Sequence, residues 1–211
     1  MKHPAKYTDV LLPIFQTILE SNQCNTVLDP FAGTGKIHLL PFITIGVEIE
    51  PEWASLDTRT ICGDATQLPF NANTFDAICT SPTYGNRMAD HHNAKDTSQR
   101  MTYTHTLGRQ LHQNNSGKMQ WGKQYQLLHL KAWSEASRVL KPSGIFILNI
   151  SDHIRKGTVQ PVTDWHIEAI TSQGFTLIEH QHISTPRLGF GQHRTQRVEH
   201  ESIITFKKEQ S

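Results

Sequence analysis

Apolar residues follow two rhythms along this chain, short continuous runs and stretches with a period near 3.6, which predict alternating strands and helices. Val10, Leu11, Leu12, Ile14, Phe15, Ile18 and Leu19 give an amphipathic helix that Pro13 interrupts early. Thr26-Val27-Leu28-Asp29 is a short strand that ends in an acid and turns through Gly33 and Gly35, with Lys36 to Leu40 as a short helix behind it. Ile43 to Glu50 is a second strand with carboxylates at its end, Thr60 to Ala65 a third, and Thr74 to Thr80 a fourth. Asn86 to Gln124 has no clear period of either kind. Tyr125 to Val139 then reads as a packing helix through Leu127, Leu128, Leu130, Trp133 and Val139, ended by Lys141-Pro142-Ser143-Gly144. Ile145 to Ile150 is a fully buried strand. Val162 to Ser172 is a helix stopped by Gly174, and Phe175 to Ile183 and Ser202 to Phe206 are two last strands. Strands alternating with helices indicate an α/β fold on a mostly parallel sheet.

Length and charge narrow this only a little. A chain of 211 residues suits one well-buried domain, here residues 1–211, with residues 86–124 as a polar insertion. The formal net charge of +1 neither demands nor excludes an anionic partner. Cys24, Cys62 and Cys79 lack metal or redox spacing and read as reduced, buried residues of a cytoplasmic protein. No apolar run approaches the ~18 residues of a membrane span, and no signal peptide opens the chain.

The glycine turn after the first strand lets a ligand lie against the backbone. A phosphate-binding P-loop would need glycine at Pro30 and a hydroxyl residue at Ile37, and a dinucleotide fingerprint would place its third glycine at His38. Neither motif is present. Two carboxylates after two successive strands suit a ligand with ribose hydroxyls and an exocyclic adenine amine, and with no phosphate to neutralise. These residues resemble the class I S-adenosylmethionine-dependent methyltransferases, in which an Asp-Pro-Phe-x-Gly-x-Gly turn, a ribose-binding acid and a Gly-Asp-Ala segment recur in this order. The resemblance implies a three-layer Rossmann-like sandwich with seven strands in the order 3-2-1-4-5-7-6. It also implies S-adenosylmethionine as cofactor, with Asp29, Phe31, Gly33 and Gly35 around its methionine end, Glu48 on the ribose, and Asp64 and Ala65 at the adenine. His3-Pro4-Ala5-Lys6 resembles a segment that lies beside the methionine part in DNA amino-methyltransferases, which adds Lys6.

The fourth strand runs directly into Ser81-Pro82-Thr83-Tyr84, and in an open parallel sheet ligands bind beyond the carboxyl ends of the strands. This loop resembles the Asp/Asn/Ser-Pro-Pro-Tyr loop of methyltransferases that modify exocyclic nucleobase amines. An exocyclic amine lone pair is delocalised into its ring, so the nitrogen must be drawn toward tetrahedral geometry before it attacks a methyl group. The Ser81 hydroxyl and the Pro82 carbonyl supply two acceptors for its N–H groups. Tyr84 supplies a stacking face for an extruded base. Thr83 departs from the resemblance, since a second proline is usual there. Ser at the head of the loop favours N4-methylcytosine over N6-methyladenine by resemblance alone. A cytosine-C5 mechanism would need a cysteine after Pro82.

The insertion carries six Lys and Arg residues against two Asp, a formal +4 in a chain of +1, with Tyr103 and Trp121 among them. Basic residues with interleaved aromatics suit a nucleic-acid strand, DNA preferred, and a flexible lid is the alternative. Arg87, Arg100, Arg109 and Lys118 here, and Arg194 and Arg197 between the last two strands, are the candidate nucleic-acid contacts. His91, His92, His105 and His112 lack metal-ligand spacing, so no metal is expected. An RNA base methyltransferase and a noncatalytic nucleic-acid-binding subunit of the same fold remain the rival readings.

Overall fold

The computed structural model describes residues 9–86, 103–184, 198 and 200–210. Lys6, Arg87, Arg100, Arg194 and Arg197, all expected at the site or on nucleic acid, lie outside the described residues.

Seven strands form the main sheet. They are β1 (Thr26–Asp29), β2 (Ile43–Glu48), β3 (Thr60–Cys62), β4 (Phe75–Thr80), β5 (Leu140–Ile150), β8 (Phe175–Ser184) and β9 (His200–Lys208). Their order is β3-β2-β1-β4-β5-β9-β8. Strands β1 to β5 pair in parallel, and β9 enters antiparallel between β5 and β8. This is the expected order, because the two additional strands, β6 (His153–Arg155) and β7 (Thr158–Gln160), form a separate hairpin. The hairpin was not expected from the sequence. Its turn residues Lys156 and Gly157 both have positive φ, the conformation that matches a two-residue hairpin to the strand twist.

Period-2 alternation divides the strand residues between two cores, one on each face of the sheet. Leu28, Ile78, Phe146, Leu148 and Ile204 pack under helices α4 (Lys123–Val139) and α5 (Val162–Thr171), joined by Ala132, Trp133, Ala136 and Ile170. Val27, Ala77, Cys79, Ile145, Ile147 and Ile203 face the other way, onto Phe15, Ile18 and Leu19 of α1 (Leu12–Ser21). A short α2 (Pro51–Ala54) follows β2. Two expectations need correction. Pro13 stands in the first turn of α1 and starts the helix, because a missing N–H costs nothing there. Cys62 is exposed, while Cys24 and Cys79 are buried, and all three are free thiols.

Asp76, at the start of β4, fixes the register of the sheet centre. Its Oδ2 accepts the Thr26 backbone N–H at 2.8 Å, the Asn25 N–H at 3.1 Å and the Thr26 hydroxyl at 2.9 Å. The parallel strands thereby end on one edge, where Asp29, Glu48 and Thr80 are the last residues of β1, β2 and β4. Among the described residues no helix is long and apolar enough to cross a membrane.

Candidate active site

A cavity of about 300 Å³ opens at that edge, lined by Gly33, Glu48, Asp64 and Ala65 at one end and by Ser81, Pro82, Tyr84 and Glu201 at the other. Glu48 is 8% exposed, and backbone groups hold both of its oxygens: Gly33 N–H donates to Oε2 and Glu50 N–H to Oε1, each at 2.9 Å. Burial pushes its carboxyl up to about 7, and the nearby Glu50 and Asp29 push the same way. Each carboxylate oxygen keeps a second lone pair, enough to receive a ribose diol. Asp64 accepts the Thr66 N–H and hydroxyl on Oδ1 and the Asn114 amide at 2.7 Å on Oδ2. Burial opposes its ionisation, yet the Asn114 and Thr66 bonds outweigh burial and hold it below the usual range.

Two residues expected around the cofactor stand behind the wall. Asp29 is fully buried and does not line the cavity; its Oδ1 accepts the Phe31 N–H at 3.0 Å and the Thr80 hydroxyl at 2.6 Å. It therefore ties the cofactor turn to the residue just before Ser81. Its Oδ2 has no hydrogen-bond partner among the described residues, and burial raises its pKa to about 6. Gly35 also lies off the wall, and glycine is required there because φ is +77° and a Cβ would approach the His38 ring to 2.6 Å. Phe31, Gly33 and Ala65 do line the cavity, as expected.

The described part of the polar insertion closes over the end of β2. Tyr103, in the short helix α3 (Tyr103–Leu107), packs edge-on against Trp53 at 5.1 Å. His112 N–H and the Asn115 amide donate to Glu50 Oε1, both at 2.8 Å. Arg109, expected on nucleic acid, instead places its guanidinium on Glu52 and on the buried Glu50 at 2.8 Å. Lys118 reaches the Leu111 carbonyl at 3.5 Å. The sequence showed a polar stretch without period; Asn114, Asn115 and Ser116 give no periodic signal, yet all three line the cavity.

The loop after β4 is held by side chains from distant parts of the chain. Asn149, wholly buried near the end of β5, brings its amide nitrogen to 3.1 Å from Ser81 Oγ and 3.2 Å from Tyr84 Oη. Burial holds the His153 pKa below its ordinary value. Thr83, in place of the usual second proline, donates its hydroxyl to Ser116 Oγ at 2.8 Å and offers its carbonyl to the Tyr125 hydroxyl at 2.7 Å. Behind Tyr125 the polarity of the bonds is fixed. Trp133 Nε1–H donates to His166 Nδ1 at 3.1 Å, so the His166 proton is on Nε2 and donates to Tyr125 Oη at 2.9 Å. Burial, with His129 nearby, holds the His166 pKa well below its ordinary value, so this relay is neutral. No motif in the sequence announced Asn149, Tyr125 or His166; the one signal was Asn149 as a polar residue inside the apolar run Ile145 to Ile150.

Solved structures share this fold. NodS, an N-methyltransferase from Bradyrhizobium japonicum WM9, superposes with a TM-score of 0.57 at 12% identity over 96% of this chain and 98% of that one. The 1,6-didemethyltoxoflavin-N1-methyltransferase of Burkholderia thailandensis, solved with S-adenosylhomocysteine, gives 0.54 at 15% identity over 95% and 79%. The [4+2]-cyclase SpnF gives 0.59 at 14% identity over 98% and 85%. The fold is that of the class I S-adenosylmethionine-dependent methyltransferases, and S-adenosylmethionine is the cofactor. The chain belongs to the DNA methylase family, whose model matches residues 75–211. Comparison with curated proteins found no match. The residues present fit the cofactor: the cavity is of ligand size, Glu48 and Asp64 line one end of its wall, and Gly33 at φ +55° turns the backbone toward it.

Proposed function

We propose that the protein methylates the exocyclic amine of a nucleobase in DNA, with N4 of cytosine preferred to N6 of adenine. The observation that carries this reading is that Ser81, Pro82 and Tyr84 close the same cavity that Glu48 and Asp64 open. The bound cofactor supplies an electrophilic methyl group. Ser81 Oγ and the Pro82 carbonyl accept the two amine N–H groups and draw the nitrogen lone pair out of conjugation with its ring. Tyr84 stacks on the extruded base, held in place through its hydroxyl. Asn149 donates to Ser81 Oγ and so turns a second lone pair of that oxygen toward the amine. No covalent enzyme intermediate is needed, since positioning and polarisation carry an in-line displacement. Within this reading the chain acts as one domain, and the basic residues Arg87, Arg100, Lys118, Arg194 and Arg197 track the phosphates, while Arg109 secures the insertion to Glu50 and Glu52.

One enzyme of similar fold methylates the small molecule 1,6-didemethyltoxoflavin, so the substrate class is the part to test. Incubation with methyl-labelled cofactor and separate DNA and RNA substrates decides it. Label in DNA that disappears in Ser81→Ala supports the reading. Label in RNA alone moves the substrate to RNA, and label in neither overturns it.

A further inference from the structure

The cavity wall contains three carboxylates, Glu48, Asp64 and Glu201. The first two serve the cofactor end. Glu201 comes from β9, at the opposite end, and its Oε2 lies 3.0 Å from Asn149 Nδ2. That same nitrogen lies 3.1 Å from Ser81 Oγ and 3.2 Å from Tyr84 Oη, so one amide group joins the carboxylate to the Ser81 and Tyr84 hydroxyls of the loop. An amide nitrogen has two protons, and here three acceptors surround it. The hydroxyls can rotate and donate elsewhere, whereas a carboxylate only accepts, so Glu201 retains one proton and Ser81 and Tyr84 share the other. Asn149 is 0% exposed and its Oδ1 has no partner among the described residues, which makes it a fixed brace. Among the described residues no Lys or Arg forms an ion pair with Glu201. A carboxylate on a cavity wall without a counter-cation favours a donor or a developing positive charge in that cavity.

Methyl transfer to an amine generates such a charge. The nitrogen lone pair forms the new N–C bond, the electron pair of the breaking S–C bond stays on sulfur, and the nitrogen is cationic until it loses a proton. Ser81 is neutral and cannot balance that charge. Resting on the amine-methylating reading above, we infer that Glu201 is the target-side carboxylate of this site: while Ser81 Oγ and the Pro82 carbonyl hold the two amine N–H groups, Glu201 balances the charge that develops on the nitrogen and receives the released proton, which then passes to water. Asn149 is its positioning residue, setting the carboxylate at hydrogen-bonding distance from the nitrogen that also holds Ser81.

The test compares wild type, E201Q, E201D and the double variant S81D/E201Q. Single-turnover methylation of DNA is read together with S-adenosylhomocysteine affinity by calorimetry and urea unfolding midpoints. E201Q should slow methyl transfer by about 100-fold, while cofactor affinity and unfolding midpoint stay near wild type. E201D keeps the charge and should fall within about tenfold of wild type. Moving the carboxylate to the head of the loop in S81D/E201Q should recover at least about tenfold over E201Q, which a purely structural brace would not do. E201Q within about threefold of an active wild type, or no recovery in the double variant, overturns the role of Glu201 and leaves the amine-methylating reading standing. A wild type that binds S-adenosylhomocysteine but methylates no nucleobase overturns both.

Discussion

Glu48 and Ser81 face the same cavity but owe their positions to different parts of the chain. At the cofactor end each carboxylate is held by backbone N–H groups from its own turn or the neighbouring one, Glu50 and Gly33 for Glu48, Thr66 for Asp64 and Phe31 for Asp29, with a distant side chain added only on Asp64 (Asn114) and Asp29 (Thr80). At the target end the loop is fixed by side chains 33 to 68 residues away: Ser116 on Thr83, Tyr125 on the Thr83 carbonyl, Asn149 on Ser81. Backbone bonds of the first kind follow from a local motif almost whatever the side chains nearby. Side-chain bonds of the second kind exist only once β5, β9 and α4 are in place. The cofactor end is thus a local device, and the target end is a product of the whole fold.

The largest expected effect lies at the target end. Ser81→Ala removes the acceptor that matters most as the amine pyramidalises, and should lower single-turnover methylation by about 100-fold or more with S-adenosylhomocysteine affinity within about twofold. Rapid-quench kinetics with calorimetry on the same preparation checks both. Equal losses in rate and affinity would erase the distinction between the two ends.

Removing the relay beneath the loop should cost stability as well as rate. Tyr125→Phe leaves His166 Nε2–H and the Thr83 carbonyl without their partner, both in a buried site, which costs about 1–3 kcal/mol. A urea midpoint unchanged from wild type would show that the target end is not held in this way. Glu48→Ala should cost a similar 1–3 kcal/mol, but in cofactor affinity, because the ribose loses its acceptor. Calorimetry separates the two variants, each affecting its own end.

The pH response sharpens the contrast, since the raised carboxyls belong to the backbone-held end. Glu48 titrates at about 7 in the fold against an ordinary 4.5, so between those values the native state keeps a proton that the unfolded chain has lost. Stability therefore falls as pH rises across that window and levels above it. Asp29 acts in the same direction between 3.8 and about 6. A ribose hydroxyl donates better to the ionised Glu48, so S-adenosylhomocysteine affinity should rise through pH 7, and Glu48→Gln should flatten that rise. Affinity measured from pH 5 to 9 tests the sign.

What the sequence disclosed follows the same division. Short apolar runs marked the seven strands, whereas the sheet order came from the resemblance to the methyltransferases; neighbours within a run, such as Val27 and Leu28, face opposite cores. The acids Glu48 and Asp64 were legible from their place after a strand. The tasks of Asp29 and Gly35 were not: both lie behind the cavity wall, one bonded to Thr80, the other packed on His38. Asn149, Tyr125, His166 and Asn114 carried no local pattern, since each works through a partner at least 33 residues distant. The β6–β7 hairpin was missed because its strands, His153–Arg155 and Thr158–Gln160, have one apolar residue each and form no apolar run.

The smallest expected effect concerns Arg109. Its ion pairs with Glu52 and Glu50 are partly exposed, and Arg109→Ala should weaken cofactor affinity only severalfold by loosening the insertion over β2. The salt dependence of DNA binding should keep its slope. A slope reduced by about one would instead place Arg109 on a phosphate.

The central claim is that the target end delivers a nucleobase amine to the cofactor end. Digesting DNA after reaction with methyl-labelled cofactor, and identifying the labelled nucleoside by mass spectrometry, tests this most directly. The account predicts N4-methylcytosine; N6-methyladenine would change the base and keep the chemistry. Label on a ring carbon, or on protein or small molecules while DNA stays unlabelled, would contradict it.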